Sequence, residues 1–345
     1  MNLPEFFGLD IGNHSIKVAQ VKQGGKPVLE KIGSIETSLG MSSNIDSASI
    51  IKLADYIKEV HKASGISTKK VVAALPESMI FSRVLEIPLT KDEGKIEETI
   101  YWEAKQYIPI DIEDVQLDWI RIQEKKVGTN SALQLLLVAA PKASVAQYKE
   151  LIEKAGMELI ALETESIATA RAISFKRESS SSILILDFGA NGTDMSVVKT
   201  GNLIFAQSLG TGSDALTKAI QNDYGITEQQ AEQYKRSYGL LADQGEGKIL
   251  KSLSPVMDII VNEINKTVNY FKANIQEGTP QLIYVVGDGA KLPGLAEFLS
   301  QKLGIQSQIA DPTEFLGITN SIKGEVEQMN AVGFTVALGL AMKTE

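Results

Sequence analysis

Leu9-Asp10-Ile11-Gly12 recurs as Leu186-Asp187-Phe188-Gly189, 177 residues further on, and the reading of the fold starts from that repetition. Each copy ends an apolar strand. Each is followed by a polar turn, a second strand (Ile16–Lys22; Met195–Lys199), a glycine turn (Gly24-Gly25; Gly201-Asn202) and a third strand. A spacing of about half the chain is too long for a stacked solenoid repeat. It predicts two similar lobes, each opening on a three-stranded meander.

An Asp-x-Gly at a strand-to-strand turn suits a particular chemistry. Glycine lets the backbone fold tightly and come close to a ligand, so that successive N–H groups converge on an anion. The aspartate at the strand end can hold a hydrated Mg²⁺, which takes one or two carboxylates and fills its other positions with water and phosphate oxygens. One copy alone reads as an ordinary hairpin turn; two copies in matching frames point to a polyphosphate gripped from both sides. A third turn, Gly287-Asp288-Gly289-Ala290, follows the apolar strand Leu282–Val286 and leads through Lys291-Leu292-Pro293-Gly294 into a helix. By itself that pattern fits an anion site or a plain strand–helix turn.

Composition narrows the chemistry further. The 345 residues suggest about two domains. The chain has no cysteine and only two histidines, His14 and His61, which excludes disulfides, thiolate nucleophiles and cysteine-based metal sites. Lys and Arg number 34 against 43 Asp and Glu, a net charge of −9, which argues against nucleic acid and anionic lipid as partners. The N-terminus lacks the basic and apolar regions of a secretory signal, and the longest apolar runs, Leu133–Ala140 and Ala331–Met342, are too short to span a bilayer. The expectation is a cytoplasmic protein without direct membrane insertion.

Strands and helices mix throughout, which predicts an α/β protein. Capping boxes at Thr90/Glu93, Ser144/Gln147 and Thr227/Gln230 mark helix starts, and Ser254-Pro255 reads as the opening of a longer helix. The first box leads the stripe Ile96, Ile100, Ala104 and Tyr107. Arg171–Ser182, with its run of four serines, reads as the linker between lobes.

Asp10–Lys17, Asp187–Asp194 and Val286–Leu295 resemble, in order and spacing, the phosphate-1, phosphate-2 and adenosine motifs of the actin-like ATPase superfamily. Within it the chain is similar to the PilM family of type IV pilus assembly proteins, in the branch shared with the division protein FtsA. That narrower resemblance rests on Glu103–Asp118, Val138-Ala-Ala-Pro-Lys142, Ala155-Gly-Met157 with Leu162–Ser166, and Ala337–Met342, and it covers nearly the whole chain.

The resemblance implies two ribonuclease-H-like lobes around a nucleotide cleft. The first lobe would be 1–71 with 164–180, an inserted subdomain 72–163, the second lobe 181–215 with 280–345, and a further subdomain 216–279. It implies ATP and Mg²⁺ as cofactors. Asp10, Gly12, Asn13 and Ser15 would form the first phosphate loop, with Lys17 reaching the β- and γ-phosphates. Asp187, Gly189, Gly192 and Thr193 would form the second. Asp10 and Asp187 would lie nearest the metal, and Asp187 and Glu165 would place the attacking water. Gly287, Asp288, Gly289 and Leu292 would lie against the adenosine, with Glu232 on the ribose and Lys235 along the purine. Two positions depart from the common pattern: Asp288 between two glycines, and Asn13-His14 in place of small residues. Read from the residues alone, Lys17 fits an exposed strand lysine, Glu232 and Lys235 a surface i,i+3 pair, and Glu165 a helix-start charge.

The implied function is an ATP-binding scaffold at the inner membrane, peripheral to it through protein partners. It would dock the N-terminal cytoplasmic tail of a PilN-like membrane protein and link it to pilus motor ATPases and platform proteins, and it could oligomerise. Three alternatives stay open at this level: an FtsA-like filament former that meets the membrane, a small-molecule kinase of the same superfamily, and a protein that binds ATP without turnover.

Overall fold

The computed structural model describes residues 3–42, 45–90, 92–127, 130–175, 181–275 and 280–344. The first meander forms where the sequence places it. β1 (Phe7–Ile11), β2 (Ser15–Lys22) and β3 (Val28–Glu36) pair antiparallel, and the first turn closes through the Gly12 N–H, which donates to Ser15 O at 3.0 Å. α1 (Ser47–Ala63) starts at Asp46, whose carboxylate accepts from Ser49 N, and stops at Gly65 in the left-handed region. β4 (Lys70–Leu75) returns parallel to β1.

β5 (Phe81–Pro88), α2 (Glu93–Tyr107), β6 (Val115–Val127) and β7 (Asn130–Pro141) then build a separate sheet of order β5-β7-β6. One face is covered by Ile96, Ile100 and Ala104 of α2. On the other, Val84, Ile120 and Val138 pack into the core of the second lobe. α3 (Lys142–Lys154) and β8 (Glu158–Thr164) rejoin the first lobe, β8 parallel to β4, and α4 (Glu165–Ser174) leads to the second half.

The second half repeats the plan. β9 (Ile183–Phe188), β10 (Thr193–Lys199) and β11 (Asn202–Leu209) form the meander. The helices α5 (Ser213–Tyr224), α6 (Glu228–Tyr238) and α7 (Lys248–Ile275) follow. β12 (Leu282–Val286), α8 (Leu295–Leu303) and β13 (Ser307–Ile309) complete the sheet, and β14 (Gly317–Ile318), α9 (Lys323–Met329) and α10 (Thr335–Ala341) close the chain. The two large sheets have orders β14-β3-β2-β1-β4-β8 and β11-β10-β9-β12-β13. In each, an antiparallel meander is extended from its first strand by two parallel strands. The sequence repeat is therefore a repeat of topology.

Several expectations are corrected. The helix expected at the Thr90 box is capped by Asp92, whose carboxylate accepts from Gly94 N, and Thr90 Oγ1 accepts from Asp92 N instead. Tyr107 stands out of its stripe, with the Arg83 guanidinium 3.7 Å over its ring. α3 starts after Pro141, which puts Ser144 inside it. Pro255 lies within α7, about two turns past its start; the upstream residues Ile249 and Leu253 are buried, and that burial carries the helix across the proline's missing donor. Arg171 belongs to α4, so the linker is shorter than expected, and its serines at 179 and 180 lie outside the described residues.

Two boundaries also move. α3 and most of β4 and β8 fall inside the expected insertion 72–163 but pack in the first lobe, leaving 81–141 for the separate sheet. The closing segment, expected with the second lobe, returns to the first: β14 pairs with β3, and Ala337, Leu338 and Ala341 pack on Ala19 and Leu29. Its apolar run is buried against protein, each large side chain contributing about 1.5–3 kcal/mol.

Candidate nucleotide-binding cleft

A cleft of about 1750 Å³ opens between the two large sheets. Its floor is set by the repeat. In the first lobe Asp10 on β1 stands opposite Lys17 on β2, and in the second Asp187 on β9 stands opposite Asp194 on β10. The turns match as well: the Gly189 N–H donates to Gly192 O at 3.0 Å, as Gly12 does to Ser15. A Cβ at either glycine would press on that carbonyl, which is why a residue without one stands there. Register with Lys17 was the signal that could have singled out Asp194.

Asp10, Gly12, Asn13, Ser15, Lys17, Glu165, Asp187, Gly189, Gly192, Glu232, Lys235, Gly287, Asp288, Gly289 and Leu292 all line this cleft. Thr193 does not. It is fully buried, and its hydroxyl donates to Thr211 O at 2.7 Å, holding the second loop to the turn before α5. Gly287 adopts φ +83°, and a side chain there would collide with the Asp187 carboxylate, so the third glycine turn packs directly on the Asp187–Gly192 turn. Sequence reasoning missed Glu77, a buried acid after β4 whose Oε1 accepts from Ser166 N at 3.0 Å. It also missed Asp214 at the start of α5, which His14 reaches across the cleft at 2.8 Å.

Lys17 is buried and not an exposed strand lysine. Burial alone would lower its pKa, but the carboxylates of Asp10, Asp288 and Asp187 outweigh it and hold the ammonium charged. Its Nζ lies 2.6 Å from Asp288 Oδ2, an ion pair that joins the two lobes. Glu232 and Lys235 do form the i,i+3 pair, at 2.7 Å, but Lys235 is buried and also donates to Thr217 Oγ1 and Ser213 O. Burial works against the Glu232 charge. Hydrogen bonds from Lys235, Thr217 and Arg236 more than offset that and bring its pKa down to about 2. This network ties α6 to α5 and fixes one cleft wall.

The floor is acidic. Burial, with the neighbouring carboxylates, raises Asp10 to about 6, Asp187 to about 7 and Asp194 to about 8, and pushes Glu165 well above the usual range. Such groups call for a cation. Among the described residues no three His, Asp or Glu side chains come together as a metal cage. One or two carboxylates suffice for a Mg²⁺ that keeps its waters and takes phosphate oxygens. Asp10 and Asp187 therefore fit a Mg²⁺ that arrives with a nucleotide, and fit a resident bare ion poorly.

Acids whose folded pKa is raised hold protons that the unfolded chain has already released, so the stability they give on the acid side is lost as pH climbs through the folded values. The melting temperature of the nucleotide-free protein is expected to fall between pH 5 and pH 8, through about 6, 7 and 8 in turn. Asp194→Asn is expected to flatten the upper part of that slope. Thermal unfolding at stepped pH is the measurement, and a curve that rises over this range would contradict the assignment.

A family model described as Type IV pilus assembly protein PilM matches residues 8–345. The chain belongs to this family. A solved PilM–PilN type IV pilus biogenesis complex contains a chain 27% identical to this one, with a TM-score of 0.86 over 98% of each. MreB5 of Spiroplasma citri bound to ADP is 14% identical, with a TM-score of 0.53 over 97% of this chain and 94% of its own. The cell division protein FtsA of Streptococcus pneumoniae serotype 2 is 24% identical over 91% of this chain and 77% of its own length. This PilM-family chain has the actin-like ATPase fold. Among its described residues no helix is long and apolar enough to cross a membrane.

Proposed function

We propose that this PilM-family protein binds ATP–Mg²⁺ in the cleft and acts as a nucleotide-dependent scaffold of the type IV pilus inner-membrane platform. The observation that carries the nucleotide reading is the pair of matching turns, Asp10–Lys17 and Asp187–Asp194, set on one cleft with the Gly287–Leu292 turn beside them. MreB5, of the same fold, was solved with ADP, which supports the same use of the cleft. Asp10 and Asp187 would hold the metal, Lys17 would meet the outer phosphates, and Glu232 with Lys235 would border the nucleoside. Bound Mg²⁺ would neutralise phosphate charge, and Glu165 would orient a water if turnover occurs, since phosphoryl transfer depends on placement and charge stabilisation.

The partner reading rests on family membership and on the solved PilM–PilN complex. By that likeness the protein docks the N-terminal cytoplasmic tail of a PilN-like membrane protein, stays peripheral to the inner membrane through it, and passes nucleotide state on to motor ATPases. Nucleotide can bias tail binding only by favouring one lobe closure over another. Lys17–Asp288 and His14–Asp214 join the lobes across the cleft, so lobe closure is read out at these pairs.

Isothermal titration tests both parts. ATP–Mg²⁺ is expected to bind the wild type and to bind Asp187→Ala at least tenfold more weakly, with heat lost from both in excess chelator. A peptide of the tail is expected to bind with an affinity that changes when ATP–Mg²⁺ is present. No heat from wild type with nucleotide would remove the nucleotide claim; a tail affinity indifferent to nucleotide would remove the coupling.

A further inference from the structure

We infer that Asp288 is a built-in competitor for the phosphate-gripping lysine: without nucleotide its carboxylate holds Lys17, and a triphosphate must displace it. The inference rests on the nucleotide reading above and specifies how that site is regulated.

The carboxylate is held in place from three sides. Oδ2 lies 2.6 Å from Lys17 Nζ and Oδ1 lies 2.7 Å from Lys291 Nζ. On the third side is Gly333, where a Cβ would collide with Oδ1. The turn that brings Gly333 there is anchored by the Gly287 N–H, which donates to Val332 O at 3.2 Å, and begins at Asn330 in the left-handed region. Asp288 belongs to the short helical turn after β12, and Lys17 to β2 of the other sheet, so their bond spans the cleft that the phosphates would enter.

Relative exposure decides which partner gives way. Lys17 faces Asp10, Asp187 and Asp288, and its own side chain is only 9% exposed. The Asp288 side chain is 47% exposed and keeps Lys291 on its other oxygen. A phosphate oxygen can replace one anionic acceptor with another. Released Asp288 is stabilised by water and Lys291, whereas Asp10, buried beside Lys17 on the strand ladder, has no such recourse. Exchange therefore occurs at Asp288. The lobes trade a protein ion pair for a phosphate bridge, and Asp288 sets the nucleotide concentration at which the trade is made.

If Asp288 occupies Lys17 in about nine molecules of ten, removing it tightens apparent affinity about tenfold. Asp288→Asn and Asp288→Gly are titrated with ATP–Mg²⁺ beside wild type, and their nucleotide-free melting temperatures are recorded. Tighter binding with a lower nucleotide-free melting temperature is the expected result. Wild type binding with both variants equal or weaker would overturn it and leave the nucleotide reading standing. No heat from any of the three would overturn both.

Discussion

Lys17→Met is expected to weaken ATP–Mg²⁺ binding by about 100-fold, the loss of charge-assisted hydrogen bonds worth about 3 kcal/mol. The size follows from the company Lys17 keeps. Asp10, Asp187, Asp194, Glu165 and Glu77 are gathered at the cleft floor, and Lys17 is the buried ammonium that meets the first two. Lys235 is also buried but is committed to Glu232 and Thr217 on the cleft wall. Without Lys17 a triphosphate would enter an acidic floor that has lost its buried ammonium. Methionine keeps the length and apolar stem of the side chain, so the loss reports on charge and not on packing. Titration of both proteins at equal ionic strength is the check, and affinities within threefold would show that phosphate is held elsewhere. The expected sign is opposite to that for Asp288→Asn, although both changes break the same ion pair. A purely structural role for the pair would move both variants the same way.

Gly339→Ala is expected to destabilise the protein by about 3 kcal/mol, against the ordinary preference of a helix interior for alanine over glycine, about 1 kcal/mol in the other direction. Gly339 lies within α10 where that helix crosses α4, and a Cβ there would overlap the carbonyl of Ala168. The obstacle is backbone, so no rotamer change relieves it. The helices would have to part, and that would strain the Arg171 hydrogen bond to Gly339 O, at 2.7 Å, together with the Arg171 and Lys343 pairs on Glu163. Those pairs outweigh the cost of burial and hold the Glu163 pKa below the usual range. α4 also begins with Glu165 at the cleft, so looser packing here is expected to reach the site as well. The urea midpoint measures the effect; a midpoint equal to or above that of wild type would mean that propensity wins over the crossing.

The repeat at Leu9 and Leu186 was enough to predict two related lobes because strand, tight turn and strand are local events, fixed by residues a few positions apart. The glycine turns and the Asp10–Lys17 motif were readable for the same reason. Capping was read less well. Asp92 displaced Thr90, and Pro141 displaced Ser144, because several residues near each helix start can serve and tertiary packing selects among them. Thr193 looked like a loop ligand, yet its hydroxyl is spent on Thr211, a partner 18 residues away that no local pattern announces.

What the sequence determined by itself was the architecture of each half and the residue types at the two Asp-x-Gly turns, since both are written in short-range spacing. The tertiary structure alone decided where distant segments land: that β14 and α10 return to the first sheet, that Glu77 and Asp194 join Asp10 and Asp187 at one floor, and that Asp288 meets Lys17, 271 residues away in sequence. The physical reason is that burial and charge act through space. A carboxylate becomes a competitor for a lysine, or an acid with a raised pKa, only when folding strips its water and chooses its neighbours.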